Sequence, residues 1–368
     1  MEYKVCVGLK RTFVDQGYFT WTPMGLGASD HIFKVVGKIG EGAHGLVLRG
    51  QHLVTGCQVA LKKVTLKKLE DGIPNSVIRE IKALQEVDCD YVVKLLDSFP
   101  QGLGFVLVFE YMPSGLWEML NDATKPLTES QKKSYMIMLL RGVAYLHSQS
   151  IMHRDLKPAN LLIGQDGVLK IADLGLARTF WDDQTRPYSH QVATRWYRAP
   201  ELLYGARHYS QAVDLWAVGC ILGEMQNNHP LFPGETDIEQ LAIVLRTLGT
   251  PMEESWPGMS TLPDYNKITF PHSAGVPWKR ILPNSSPEAV DLIKEFLLYH
   301  SENRLQAEQA LIHPYFFTIP LPCVMTDMPK PSDGHRHQFK TKEYDVDLPL
   351  EEMFKTLNEM LGPEATIH

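Results

Sequence analysis

The chain has 368 residues, 44% hydrophobic and 21% charged, with a formal charge of −7. That length suffices for about two domains with a substantial core, and the acidic balance argues against a general binder of nucleic acid or anionic membranes. The five cysteines (Cys6, Cys57, Cys89, Cys220, Cys323) are odd in number and form no C-x-x-C pair near histidines, as expected of free thiols in a reducing compartment.

Nothing near the start combines a basic end, an apolar run and a small-residue cleavage site, so secretion is not expected. The longest apolar run, around Val213 to Met225, is broken by Asp214 and too short to span a bilayer, which predicts a soluble intracellular protein with no membrane insertion. Residues 1–29 mix aromatics, glycines and lone charges without periodicity and are expected to be a flexible N-terminal extension, with a packed strap as the alternative.

From His31, alternating apolar residues run into Gly40-Glu41-Gly42-Ala43-His44-Gly45-Leu46-Val47, which predicts a strand, a glycine turn and a second strand. Glycines let a backbone approach phosphates closely. A dinucleotide site would continue into a helix, whereas Leu46-Val47-Leu48 continues as strand. Val59-Ala60-Leu61-Lys62 is an apolar strand ending in a lysine at a suitable distance for phosphates, and such a lysine needs a carboxylate to hold it. Glu80 is the candidate, among the helically spaced Val77, Ile78, Ile81, Leu84 and Val87 of a helix predicted from Pro74 to Val87. Phe105 to Met112 reads as a buried strand leaving into a connector at Pro113 and Gly115, and Ser130 to His147 as an amphipathic helix.

His153-Arg154-Asp155-Leu156-Lys157-Pro158-Ala159-Asn160 gathers into one loop a carboxylate able to orient a hydroxyl and take its proton, a lysine to offset phosphate charge, and an amide able to hold a divalent cation. Val168 to Ala172 is a short strand presenting Asp173-Leu174-Gly175. Asp214 to Ile221 opens an almost wholly apolar helix, expected to be a buried spine. Beyond His313-Pro314-Tyr315-Phe316, prolines predict a linker, and Leu350, Met353, Phe354, Leu357, Met360 and Leu361 predict a tail helix that docks on the domain or a partner.

These motifs, with Ala199-Pro200-Glu201, stand in the order of a eukaryotic protein kinase, which the chain resembles from about Asp30 to Thr318. Pro74 to Glu80 resembles the cyclin-docking helix of cyclin-dependent kinases. Glu41 to Gly45, Leu69 to Gly72, His190 to Gly205 and Leu262 to Ile268 are similar to the cell-cycle-related branch, allied to the kinases that activate cyclin-dependent kinases. The resemblance implies an α+β bilobal fold: a mostly β N-lobe at 30–112 with one regulatory helix, a mostly α C-lobe at 113–318 and a tail at 319–368.

It implies ATP and Mg2+ as cofactors, with nucleotide held by Ile39, Gly40, Glu41, Gly42, Ala43, His44, Gly45, Val47, Ala60, Lys62, Glu80, Phe109, Glu110, Met112 and Leu162, and metal by Asn160 and Asp173. Asp155, Lys157 and Thr194 would be catalytic, with Thr194 bracing the other two. Ser189 would be a regulatory phosphosite clamped by Arg79, Arg154 and Arg178, and Arg198 would line the substrate groove and favour proline after the phosphoacceptor. Arg304 resembles the arginine that pairs with Glu201. The implied activity is phosphorylation of serine or threonine, proline-directed or on activation segments of other kinases, in cell-cycle or ciliary signalling in nucleus, cytoplasm or cilium. A cyclin-like activator would dock at Pro74 to Glu80. The alternative is a scaffold of this fold without turnover, because Leu174 replaces the commoner phenylalanine and Gly115 an acidic residue that contacts ribose in many relatives.

Overall fold

The structure is a computed structural model and describes residues 9–14, 18–23, 33–42, 45–65, 81, 84–85, 87–101, 104–179, 188–190 and 192–331. Strands β1 (Leu9–Val14) and β2 (Tyr18–Pro23) pair antiparallel within the segment read as lacking periodicity. Phe13, Val14, Tyr18, Phe19, Thr20 and Trp21 favour extended backbone there without strict alternation.

Five strands follow: β3 (Phe33–Gly42), β4 (Gly45–His52), β5 (Gln58–Thr65), β6 (Leu95–Gln101) and β7 (Gly104–Glu110), all antiparallel in the order β3-β4-β5-β7-β6. One sheet face carries Phe33, Leu48, Val59, Leu61, Phe99, Val106 and Val108, which form a core of their own. The two-residue period therefore turns Val47, Ala60, Lys62 and Phe109 to the opposite face, and the register pairs Val47 with Lys62 and Ala60 with Phe109. Of the helix predicted from Pro74 to Val87, the stretch carrying Arg79 and Glu80 lies outside the described residues; Leu84 and Val87 are buried in the main core.

The connector enters β8 (Ser114–Gly115), then α1 (Leu116–Asn121) and α2 (Glu129–Ser148), whose start is fixed by a capping box between Thr128 and Gln131. Short strands β9 (Ile151–Met152), β10 (Leu161–Ile163), β11 (Leu169–Ile171) and β12 (Arg178–Thr179) frame the loop from His153 to Asn160. Helices α3 (Pro200–Leu203), α4 (Ala212–Asn227), α5 (Asp237–Leu248), α6 (Trp278–Ile281), α7 (Pro287–Phe296) and α8 (Ala307–Ala310) complete the larger lobe. As its composition demands, α4 is buried on every face from Ala212 to Met225.

The proline-rich stretch read as a linker is, as far as Pro331, packed on the lobe. Lys133 on α2 donates to the carbonyls of Thr318 (2.7 Å) and Pro320 (2.8 Å), and Ser134 donates to that of Cys323 (3.1 Å). Met328 is buried against the turn at Gly167, where an added Cβ would stand 2.9 Å from its own. Apart from a 3-10 turn at Met325–Asp327, the prolines keep this segment irregular, and its carbonyls remain acceptors for a buried lysine. The predicted tail helix lies outside the described residues.

Candidate active site

Asp155, in the loop between β9 and β10, is 4% exposed, and its carboxylate accepts four hydrogen bonds. Thr194 supplies two to one oxygen, from its N–H at 2.8 Å and its hydroxyl at 2.9 Å. Lys157 Nζ at 2.8 Å and Asn160 Nδ2 at 3.0 Å reach the other. Lys157 also donates to the Thr194 hydroxyl at 2.7 Å, so the brace expected of Thr194 forms in the structure. With this many fixed donors, the direction in which Asp155 points is set before any substrate arrives.

The loop itself hangs on Asp214, a buried carboxylate in the first turn of α4. It accepts the main-chain N–H of His153 at 2.9 Å, that of Arg154 at 2.8 Å, and His147 Nε2 at 2.9 Å. Burial opposes its ionisation, but the His147 hydrogen bond and charge, with the Arg154 amide, outweigh that and hold its carboxyl below the usual range. His153 Nδ1 accepts from the Asp155 N–H at 3.2 Å, which leaves Nε2–H to donate to the Ala172 carbonyl at 2.9 Å. That bond sets the strand end that presents Asp173.

Asp173 adopts a left-handed conformation (φ 63°) and meets Lys62 Nζ at 2.7 Å. Lys62 was expected to pair with Glu80, which lies outside the described residues; among these, Asp173 holds it. Asn160 donates its amide nitrogen to the Asp155 carbonyl and carboxylate, which turns its amide oxygen away from them. Gly40, Val47 and Lys62 form one row across three strands, and Ile39 falls at the register shift between Lys38 and Gly40. Glu41, Gly42 and Gly45 close that hairpin by backbone pairing, whereas Ala43 and His44 at its tip lie outside the described residues.

Below them, Met112, Leu162 and Val93 form a small apolar floor with Phe109 and Ala172 packed against it. Glu110 turns its carboxylate to Lys170 at 2.8 Å and to the Lys94 N–H at 2.8 Å, so its side chain ties the connector to β11. Gly115 pairs with Leu162, and a Cβ added there would stand 2.7 Å from Glu118 Oε2 and 3.1 Å from the Leu161 carbonyl oxygen. A side chain at 115 would therefore have to displace its neighbours.

At the other side of Asp155, Ala193 takes φ 64° and Arg198 donates to the carbonyls of Val192 (2.9 Å) and Ala193 (3.0 Å). Asp237 at the start of α5 holds both Arg195 (2.8 Å) and Arg198 (3.0 Å); partial burial opposes its charge, but the two guanidinium groups keep its carboxyl below the ordinary value. Arg154 is brought near Ser189, whose side chain is exposed, through Tyr209. Of the other expected clamp arginines, Arg178 opens β12 and Arg79 lies outside the described residues. Arg304 grips Glu201 with two bonds of 2.7 Å, as the sequence resemblance implied.

The model of the protein kinase domain matches residues 33–316. The chain belongs to the protein kinase family. It is 61% identical over 325 residues to cyclin-dependent kinase 20 of Danio rerio, covering 87% of this chain and 94% of that one. It is 55% identical over 338 residues to cyclin-dependent kinase 20 of Homo sapiens (90% and 96%), and 41% identical over 293 residues to cyclin-dependent kinase D-1 of Oryza sativa subsp. indica (80% and 68%). It is a serine/threonine protein kinase of the cyclin-dependent type, with the mixed α+β architecture of that family, whose members generally use ATP and Mg2+. Among the described residues, no helix is long and apolar enough to cross a membrane.

Sequence reasoning assigned no site role to three of this kinase's residues: Asp214, Asp237 and Tyr209. A carboxylate in the first turn of an almost wholly apolar helix is a signal for Asp214, because a buried charge needs donors. Asp237 and Tyr209 stand in ordinary polar surroundings in the sequence, and their partners come from segments 20 to 55 residues away.

Proposed function

We propose that this kinase transfers the γ-phosphoryl group of ATP to serine or threonine hydroxyls, either those followed by proline or those in activation segments of other kinases. The observation that carries this reading is Ala193 at φ 64° with Arg198 on the carbonyls of residues 192 and 193. Those carbonyls are turned to the guanidinium and are not available to a substrate amide. A proline has no N–H to leave unpaired there, whereas any other residue strands one, at a cost of about 1–3 kcal/mol.

Asn160 and Asp173 supply oxygen ligands of the kind Mg2+ prefers, and two protein ligands suffice when substrate phosphates and water complete the shell. The Asn160 amide oxygen is turned away from Asp155, which fits such a role. When bound, Mg2+ would neutralise phosphate charge. Lys62 would hold the α and β phosphates, the glycine turn would cover them, and Glu110 and Met112 would meet adenine through their backbones. Asp155 orients the attacking hydroxyl and receives its proton, Lys157 offsets charge on the transferring group, and Thr194 keeps both in place. Most of the rate would come from positioning and charge stabilisation.

A cyclin-like protein is the activator this reading implies, supported by the likeness of Pro74 to Glu80 and by the relatives' printed name. The proposed setting, cell-cycle or ciliary signalling in nucleus, cytoplasm or cilium, rests on that likeness alone. Phosphorylation of paired peptides differing only in proline or alanine after the acceptor tests the substrate class. A preference for proline of about tenfold or more is expected, and equal rates would sink the proline reading. Absence of any transfer from labelled ATP, with or without cyclins, would point to a scaffold instead.

A further inference from the structure

Among the described residues, the neutral Tyr209 hydroxyl links Arg154 to Ser189. Arg154 Nη1 donates to the Tyr209 hydroxyl at 3.1 Å, and that hydroxyl donates to the Ser189 carbonyl at 2.7 Å. Both ends of the relay are fixed. The Arg154 main chain is pinned by Asp214 and takes φ 65°, while Tyr188 lays its ring 5.1 Å from that of Tyr209 and donates its N–H to the Arg207 carbonyl at 2.7 Å.

A hydroxyl suits this position because it accepts and donates at once, joining a group that only donates to one that only accepts. The bond to Ser189 is made to its backbone, leaving its exposed side chain outside the relay. We propose that Tyr209 is a positioning residue for phosphotransfer: its hydroxyl latches the activation segment to the catalytic loop when Ser189 carries no phosphate. A phosphate on Ser189, doubly charged and purely accepting, would bind Arg154 directly and make the latch dispensable. The latch thus supports a basal, phosphate-independent activity, an inference that rests on the kinase reading and on Ser189 as the regulated hydroxyl.

The test uses the full-length chain in four forms: Ser189→Ala, Ser189→Ala with Tyr209→Phe, and the parent and Tyr209→Phe each carrying phosphoserine installed at position 189. Ser189→Ala keeps the carbonyl that the latch needs. On that background Tyr209→Phe should lower kcat/KM for a Ser-Pro peptide about tenfold, with an unchanged thermal midpoint. In the phosphoserine pair the same substitution should change kcat/KM by less than about twofold, because the phosphate then holds Arg154. The latch is overturned by full activity of the Ser189→Ala, Tyr209→Phe protein, by an equal loss in both pairs, or by an inactive Ser189→Ala protein beside an active phosphoserine parent. Inactivity of all four forms would instead overturn the kinase reading.

Discussion

The catalytic loop and the activation segment meet at Asp155 and are held in opposite ways. His153, Arg154 and Asp155 are buried, and their main chain hangs from a carboxylate that is itself 1% exposed. Ser189 and Trp196 are exposed, and the segment's carbonyls are caught by the side chains of Arg198 and Tyr209. On the proposed reading, the chemistry is therefore built in when the lobe folds, whereas substrate reading depends on a few replaceable hydrogen bonds.

Substitutions on either side should separate the two. If Asp155 takes the hydroxyl proton as proposed, Asp155→Asn should lower kcat about 100- to 10,000-fold, beside a stability loss of about 1–3 kcal/mol because an amide cannot accept from all four of its donors; near-parental turnover would remove Asp155 from the chemistry. Arg304→Ala strips the buried Glu201 of its partner and should cost about 3–5 kcal/mol in denaturant unfolding. A loss below about 1 kcal/mol would show that the pair behaves like a surface ion pair.

Asp214→Asn is expected to cost about 1–3 kcal/mol, since an amide cannot accept from all three of its donors. The sign with pH follows from its lowered carboxyl. Its stabilising contribution is full above the unfolded value of about 3.9 and disappears as pH falls through the folded one. The stability gap between parent and variant should thus narrow in acid; a gap that widens there would contradict this account. Arg198→Ala should reduce the preference for proline over alanine after the acceptor by about tenfold, with little loss of stability. An unaltered preference would move the specificity elsewhere.

The glycine turn, Lys62, the catalytic loop and Asp173 were legible because each motif sits in a fixed local setting of strand, turn or loop. The spine of α4 was legible from its apolar content. The strap after Thr318 was not, because its prolines look like a linker and the lysine that receives it lies on α2, far away in sequence. Neither was the Lys62–Asp173 contact, which joins β5 to the end of β11. Local patterns reveal which groups are present, whereas such long-range pairings depend on how the lobes close.

The strap also has a mechanical meaning. Lys133 pins one end, and Met328 rests over Gly167 in the turn joining the strands that carry Leu162 and lead to Asp173. Tension on the chain just past Pro331 would be borne by that hairpin, beside the floor of the cleft. A load attached at that end therefore pulls on the catalytic site's own framework.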